Sequence, residues 1–420
     1  MLDIIMKDIL GTPAILVGLF ALLGLALQKK SVSDIVSGTL KTIMGFIILG
    51  AGATVVTGSL DFFGKMFEKA FHIQGAVPNN EAIVALAQST FGTETALIML
   101  LGMIVNIILA RFTPFKYIFL TGHHTLFLAC LVSILLSGSG LSGVGLVLVG
   151  SVILGLWMVL SPAIIQPYVR QVTGSDDIAV GHFGSIGYLV SAFVGKLLGN
   201  KQNTTEEVKV PKSLGFLRDS SVAVALTMAI MFLVVTLCAG QHYVETQLSG
   251  GTNYIVFAII QSITFAGGVY IILSGVRMVI AEIVPSFKGV ADKFVPNAKP
   301  ALDVPAVFPF APNAVIIGFL SSFVAGLVSM ALLPLFGLAV IISGLVPHFF
   351  TGAAAGIFGN ATGGRRGAIF GAFANGLIIS FLPALLLPVL GGLGFQNKTF
   401  GDADFGFIGI ILSFFIKLFS

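Results

Sequence analysis

The chain has 420 residues, of which 56% are hydrophobic and only 10% charged, and its formal net charge is +4. A mean hydropathy of +1.04 excludes a soluble globule, because so few polar residues cannot cover a fold of this length. No basic run or zinc-type ligand spacing points to nucleic acid. The composition therefore predicts a membrane protein.

Apolar runs recur along the whole chain, and a transmembrane helix needs about 20 such residues. We predict an all-α polytopic membrane fold with eleven spans. They cover approximately residues 11–28, 38–58, 82–110, 143–162, 179–198, 221–240, 254–275, 302–332, 349–362, 367–391 and 405–420. Because Asp3, Lys7 and Asp8 precede a full-length apolar run, we interpret the first run as a span and not as a cleaved signal.

The positions of lysine and arginine set the predicted topology, since cytoplasmic loops are enriched in them. The prediction uses the basic groups in the loops between the spans, which are Lys29, Lys30, Lys41, Arg111, Lys116, Lys196, Lys201, Lys209, Lys212, Arg218, Arg277, Lys288, Lys293, Lys299, Arg365 and Arg366. If all are cytoplasmic, the segments around 117–137 and 333–348 must enter the membrane and return as re-entrant hairpins. This count places the N-terminus outside and the C-terminus in the cytoplasm.

Two stretches resemble each other at a distance of about 219 positions. Val77-Pro78-Asn79 is followed by Phe91, and Val295-Pro296-Asn297 is followed by Phe310. Five spans separate the starts of the two halves, so the copies have opposite orientations. Inverted repeats with Pro-interrupted apolar segments indicate a transporter whose substrate site lies between the repeats.

Two amphipathic stretches, 60–71 and 276–294, precede the repeated segments, and we expect helices that lie in the membrane interface. The two cysteines, Cys130 and Cys238, lie in apolar runs, where a thiol usually acts as a small buried hydrophobe. We therefore predict neither a disulfide nor a reactive cysteine.

Polar side chains at membrane depth are costly, which makes them candidates for substrate contact. The predicted site consists of Asn80, Glu81, Thr93, Glu94, His123, His182 and Asp303. Each has an ordinary structural alternative. The imidazoles of His123 and His182 could bond to backbone carbonyls, whereas Asp303 and Glu81 could cap the helices that follow them.

His124 follows His123 directly, and we expect its side chain to point away from the site. No metal is predicted, because neighbouring histidines rarely face one ion and no thiolate or further carboxylate has ligand spacing. The sequence contains no Walker motif, ATP-binding module or catalytic-triad order, and we predict no cofactor. Energy for transport would come from an ion gradient or from partner proteins.

Several motifs together resemble one family. Phe119-Leu-Thr-Gly-His-His, Gly181-His182, Asp303, Phe310-Ala-Pro-Asn-Ala-Val and Gly363-Gly-Arg-Arg are similar to those of the L-ascorbate-specific enzyme IIC family of the bacterial phosphotransferase system. The resemblance implies that His123, His182 and Asp303 contact substrate. The chain departs from some members at Phe127, where they have Gln, and at Asn80-Glu81, where they have Thr-Tyr.

The resemblance also implies an architecture and a mechanism. Family members have eleven spans, inverted five-helix repeats, two hairpins and a V-shaped dimerisation domain that forms a homodimer around mobile cores. This division would assign 1–76 and 215–294 to dimerisation, 77–200 and 295–391 to the core, 201–214 to a linker and 392–420 to a C-terminal helix. Ascorbate would move by rigid-body rotation of the core in the bacterial inner membrane.

In that family ascorbate is phosphorylated at its 6-position by a phosphocysteine on enzyme IIB, which enzyme IIA supplies. No soluble segment with a Cys in a phosphate-binding loop occurs in the chain, so we expect enzyme IIB to be a separate protein and expect no phosphorylated residue on this one. Two other function classes remain open at this point. One is an ion-coupled secondary transporter of a sugar or sugar acid, and the other is a structural or receptor-like membrane protein.

Overall fold

A computed structural model describes residues 13–71, 75–208 and 220–419. The described chain is mostly helical. Its α-helices are α1 (Pro13–Leu27), α2 (Val32–Phe71), α3 (Asn80–Phe112), α4 (Gly122–Gly138), α5 (Gly143–Thr173), α6 (Ser185–Leu198), α7 (Ser220–Ala239), α8 (Gln241–Tyr243), α9 (Tyr254–Phe294), α10 (Pro312–Leu332), α11 (Leu345–Gly392) and α12 (Ala403–Phe419). The basic residues Lys209, Lys212 and Arg218 lie outside the described residues, as does the start of the first predicted span.

The described residues also contain five short strands, which the all-α prediction missed. They are β1 (Gly75–Ala76), β2 (Tyr117–Phe119), β3 (Ala179–Val180), β4 (Lys299–Leu302) and β5 (Val340–Ile341). One parallel sheet has the order β2-β4-β3, and β1 pairs with β5 in a second. Each sheet joins a strand from the first half of the chain to one from the second. The strands therefore connect the two halves at the points where helices begin.

Six described helices are long and apolar enough to cross a membrane, and a seventh span results if Met228–Ala239 and Gln241–Leu248, bent by 103°, count as one. Three shorter apolar helices cover Gly122–Gly138, Ser185–Leu198 and Ala403–Ile416. The prediction of a polytopic helical membrane protein is thus confirmed. Part of the difference from eleven arises because α11 counts once, although it is broken at Gly364 (φ 59, ψ −149) and its two parts correspond to the predicted spans 349–362 and 367–391.

The two amphipathic stretches are continuous with α2 and α9 and do not form separate helices. On α2, Phe63 and Met66 are buried, and the Phe63 ring packs 5.3 Å from that of Phe232 on α7. Phe62 packs edge-on against Phe257 of α9 at 5.2 Å. The apolar face of 60–71 therefore packs against protein, in place of the lipid contact that an interfacial helix would make.

Close approaches at glycines fix the directions of several helices. On α3 and α5, Gly102 lies against Leu154 and Ile98 against Gly150, so these helices run parallel. On α11 and α12, Leu382 lies against Gly406 and Leu386 against Gly409, so α12 runs parallel to the second part of α11. Small residues permit such backbone proximity in membrane proteins. It follows that α3 and α5 end at the same face, and that α12 ends at the face where α11 ends.

The two parts of α11 fold back on each other, because a Cβ on Gly359 would overlap the carbonyl of Gly367. Helix α6 packs between them, with Gly195 against Gly359 and Gly187 against Asn375. Its C-terminal end consequently lies beside the break at Gly364. The Asn200 N–H donates to the Gly363 carbonyl at 2.8 Å, which fastens the chain after α6 to this break.

Candidate functional site

The three strands of the β2-β4-β3 sheet each lead into a candidate site residue. Asp303 directly follows β4, His182 follows β3 after one residue, and His123 lies just beyond β2 at the start of α4. Because all three strands are parallel, their carboxyl ends meet at one edge. The backbone therefore brings together side chains that are as much as 180 positions apart, as with His123 and Asp303.

Distances within the cluster are short. The His123 Nε2 lies 3.7 Å from Asp303 Oδ2. The ring centroids of His124 and His182 are 3.9 Å apart, and those of His123 and His124 are 4.6 Å apart. A hydrogen bond of 2.8 Å joins the Tyr188 hydroxyl to His182 Nδ1. Three histidines, one carboxylate and one tyrosine thus form one contiguous polar cluster.

This cluster is almost sealed from the outside of the protein. The exposed fraction is 6% for Asp303 and 3% for both His124 and His182, whereas the side chain of His123 remains 17% exposed. The Asp303 Oδ1 accepts a hydrogen bond from the Val304 N–H at 2.7 Å, so the carboxylate also caps the short helix Val304–Ala306. The capping alternative and the site prediction are therefore compatible, because Oδ2 still faces His123.

The expectation that His124 points elsewhere is wrong. Its ring lies between His123 and His182 and also packs parallel to the Phe405 ring, 5.8 Å away. The reason is local. Helix α4 begins at Gly122, and its first turn faces the sheet edge, so two successive residues both reach the cluster.

Three residues of the cluster lie close enough together to be considered as metal ligands. One donor atom each from His123, His124 and Asp303 lies within 4.8 Å of the other two. Two imidazoles and one carboxylate form a donor set that suits Zn²⁺. The 3.7 Å between His123 Nε2 and Asp303 Oδ2 is close to the ~3.4 Å that separates two tetrahedral ligands of this ion. The argument that neighbouring histidines rarely face one ion therefore does not apply to His123 and His124.

The other predicted residues lie on α3. The Asn80 amide donates to Asp402 Oδ2 at 2.7 Å and accepts from the Gly401 N–H at 2.8 Å, which ties the start of α3 to the segment before α12. Thr93 and Glu94 are half-buried, and no hydrogen bond among the described residues joins them to the histidine cluster. The side chain of Glu81 lies outside the described part of the structure.

Sequence reasoning missed three residues. Tyr188 bonds to His182, Asp402 bonds to Asn80, and Asp404 accepts from Ser185 Oγ at 2.6 Å and from Trp157 Nε1 at 3.0 Å. The sequence did contain a signal for two of them, since Asp402 and Asp404 are carboxylates at the start of the last apolar run. Carboxylates at such a position are rare unless they have buried partners.

Comparison with known proteins identifies the family. Residues 8–404 match the model of the PTS system sugar-specific permease component, EIIC-GAT. The chain belongs to this family. It is also similar to the ascorbate-specific PTS system EIIC component of Mycoplasma pneumoniae (strain ATCC 29342 / M129 / Subtype 1), with 27% identity over 428 residues. That alignment covers 87% of this chain but only 63% of the relative, so the chain spans less than two thirds of the relative's length.

Within the family, the chain is a membrane-embedded, multi-pass permease component. The residues that carry the resemblance, His123, His182 and Asp303, are the same residues that the three parallel strands bring together.

Proposed function

We propose that the chain is the enzyme IIC of a phosphoenolpyruvate-dependent phosphotransferase system and that it translocates L-ascorbate. The observation that carries this proposal is the buried His123–His124–His182–Asp303 cluster at the joint between the two halves of the chain. The substrate class comes from the ascorbate-specific relative. The phosphotransferase partners, enzymes IIB and IIA, come from the family.

The chemistry of the cluster suits this ligand. L-ascorbate is a small anion that presents an enediol and two side-chain hydroxyls. A neutral imidazole offers one donor and one acceptor, and a carboxylate accepts from hydroxyls, so the cluster can pair several ligand oxygens at once. Helix α4 begins beside the cluster without a side-chain cap, and the positive end of its dipole favours an anion there.

For the membrane topology we propose a revision of the two predicted hairpins. Lys116, Arg170 and Lys299 lie at one end of the β2-β4-β3 sheet, where Arg170 and Lys299 both pair with Asp176. Since α5 crosses the membrane toward this end, β2 together with α4 forms a broken span in the opposite direction. The re-entrant element is then β3 with α6, and the basic end is cytoplasmic.

The second half repeats this arrangement in the opposite orientation. Strand β5 with the first part of α11 forms the second broken span, and the segment before α12 with α12 forms the second re-entrant element. This assignment keeps the inverted repeats, but it places the C-terminal end of α12 outside, with Asn397, and not in the cytoplasm. The N-terminal end of α1 is also outside.

We further propose that translocation is a rigid-body movement of a core that includes the site, relative to a dimerisation unit of 1–76 and 215–294. In the cytoplasm-facing state, the thiolate of a phosphocysteine on enzyme IIB leaves phosphorus as the 6-hydroxyl oxygen of ascorbate attacks it. The P–S bond breaks, a P–O bond forms, and the hydroxyl proton is released. This chain then contributes no phosphorylated residue of its own.

A binding measurement tests the substrate assignment. Purified protein in detergent is titrated with L-ascorbate, D-isoascorbate and a pentitol, and the matched variants His182→Gln and Asp177→Asn are titrated in parallel. We expect saturable binding of L-ascorbate that is lost in His182→Gln and kept in Asp177→Asn, an exposed loop residue. Tighter binding of the pentitol than of ascorbate would contradict the substrate class.

A further inference from the structure

Asp404, in the first turn of α12, makes more hydrogen bonds than any residue of the histidine cluster. Its Oδ2 accepts from Trp157 Nε1 at 3.0 Å and from Ser185 Oγ at 2.6 Å, and its Oδ1 accepts from the Ile186 N–H at 2.9 Å. Its own N–H donates to the Phe183 carbonyl at 3.0 Å. The side chain is fully buried. One carboxylate thus joins α5, α6 and α12.

Three of these four bonds fall on residues 183–186, directly after His182. The first N–H groups of a helix have no partner inside the helix and need a cap. At α6 the N-cap residue is Gly184, which has no side chain to provide one. Asp404 supplies the missing acceptor from the far end of the chain, and its negative charge lies at the positive end of the α6 dipole.

The imidazole of His182 is itself bonded to α6. Its Nδ1 bonds to the Tyr188 hydroxyl, one turn further along α6 from the residues that Asp404 caps. The position of the imidazole therefore depends on where α6 begins and how its first turn is oriented. Asp404 bonds to this first turn, and none of the described hydrogen bonds joins it to a ring nitrogen of the cluster.

We propose that Asp404 is a positioning residue that holds His182 in its binding geometry by capping α6. Its effect on ligand affinity rests on the proposed function, but its effect on His182 does not. A carboxylate that served packing alone would leave the environment of His182 unchanged when its charge is removed with its shape retained.

The test uses the full chain with Asp404→Asn, which preserves size but replaces one acceptor oxygen with an NH₂ group. Whichever way the amide lies, this group faces either the Ile186 N–H or the Trp157 and Ser185 donors and can accept from none of them, and the negative charge at the start of α6 is lost. Loss of a hydrogen bond to a buried charged group changes binding by about tenfold or more, so we expect the affinity for L-ascorbate to fall by at least that factor. Trp157→Phe removes one donor from α5 and keeps the bonds from Ser185 and Ile186, so the cap remains and we expect a smaller loss of affinity than in Asp404→Asn.

A second readout reports on His182 directly. The chain has six histidines, and ¹³Cε1-histidine NMR resolves one signal for each, with His182 assigned by its absence in His182→Gln. We expect Asp404→Asn to shift the His182 signal and to leave that of His348, which bonds to Ser322, in place. The emission of Trp157, the single tryptophan, should also change.

If Asp404→Asn does not fold, Ser185→Ala takes its place, because it removes one of the hydrogen bonds between Asp404 and α6 and should also shift the His182 signal, though by less. A His182 signal at its wild-type position in both variants would overturn the proposal. If wild-type protein binds no L-ascorbate, the substrate assignment fails. The histidine NMR spectra would still show whether Asp404 positions His182.

Discussion

At the scale of single residues, the site concentrates ionisable groups where they are most costly. Asp303 is buried, and its two oxygens face different partners, the Val304 N–H and His123. An unpaired carboxylate in such surroundings would be strongly unfavourable, so each buried polar atom needs a partner from protein or ligand. Substitutions within the cluster should therefore reduce binding more than they reduce folding.

Asp303→Asn tests this expectation. The amide keeps the shape and one acceptor but lacks the charge, so ligand hydroxyls lose a charge-assisted hydrogen bond. We expect L-ascorbate affinity to fall by about tenfold or more, measured by titration of purified protein. Asp177→Asn serves as the control. Wild-type affinity in Asp303→Asn would remove this residue from the site.

His124 provides a second residue-scale prediction. Because its ring lies between those of His123 and His182, we expect His124→Gln to weaken binding as much as His123→Gln does. Equilibrium titration of both variants measures the ratio. A loss confined to His123→Gln would mean that His124 only packs against Phe405 and does not face the ligand.

Sequence reasoning selected His123, His182 and Asp303 as candidates because isolated polar groups in apolar surroundings are conspicuous, and the structure places them together. It could not find the orientation of His124, which depends on α4 beginning at Gly122, immediately after the sheet edge. It also missed Tyr188, since a tyrosine inside an apolar helix is ordinary until its hydroxyl meets a partner from another turn. Partners that arise only from tertiary contacts leave no local pattern.

At the scale of elements, the short strands explain how the site is assembled. Each strand has two to four residues and lies between long helices, so no alternating pattern could reveal it. The extended β4 contains Pro300, and the residue before a proline favours extended backbone, which was a usable but weak signal. Hydropathy alone predicted the positions of the long helices. It did not predict that β2 and α4 together form one of the broken spans proposed above.

Labelling of an introduced cysteine distinguishes the two topologies. Asp177 lies between α5 and β3, and our revised topology places it in the cytoplasm, whereas the sequence count placed it outside. We expect Asp177→Cys to react only with reagent that reaches the cytoplasm, as Arg365→Cys does, and Asn397→Cys to react from outside. Labelling of position 177 from outside would restore the hairpin at 117–137.

The ion pairs at the start of β4 predict a pH dependence. The hydrogen bond from Lys299, together with Gln166, lowers the pKa of Asp176 below its ordinary value of 3.8. A lowered carboxyl pKa stabilises the fold above that ordinary value, and the contribution disappears as the pH falls through the folded-state pKa. Thermal unfolding should show Asp176→Asn slightly less stable than wild type at neutral pH, with the difference shrinking as the pH falls below 3.8 and vanishing once it is below the folded-state pKa. A difference that stayed constant as the pH fell from 7 to well below 3.8 would exclude the ion pairs as its cause.

At the scale of the whole molecule, large exposed apolar side chains such as Leu148, Val152 and Leu156 on α5 require a bilayer or another protein surface around the helices. The same holds for Val36, Leu40 and Ile47 on α2. The composition predicted this environment correctly. It could not predict how the two halves join, since that depends on strand pairing between residues more than a hundred positions apart, as with Tyr117 and Lys299.

The central claim is that uptake is driven by phosphorylation and not by an ion gradient. The most direct measurement is uptake of radiolabelled L-ascorbate by cells that express this chain, with and without enzyme IIB, before and after ionophores collapse the proton and sodium gradients. Our account predicts that removal of enzyme IIB abolishes accumulation, whereas the ionophores leave it intact while phosphoenolpyruvate is available. Accumulation that persists without enzyme IIB and stops with the ionophores would contradict it and identify an ion-coupled transporter.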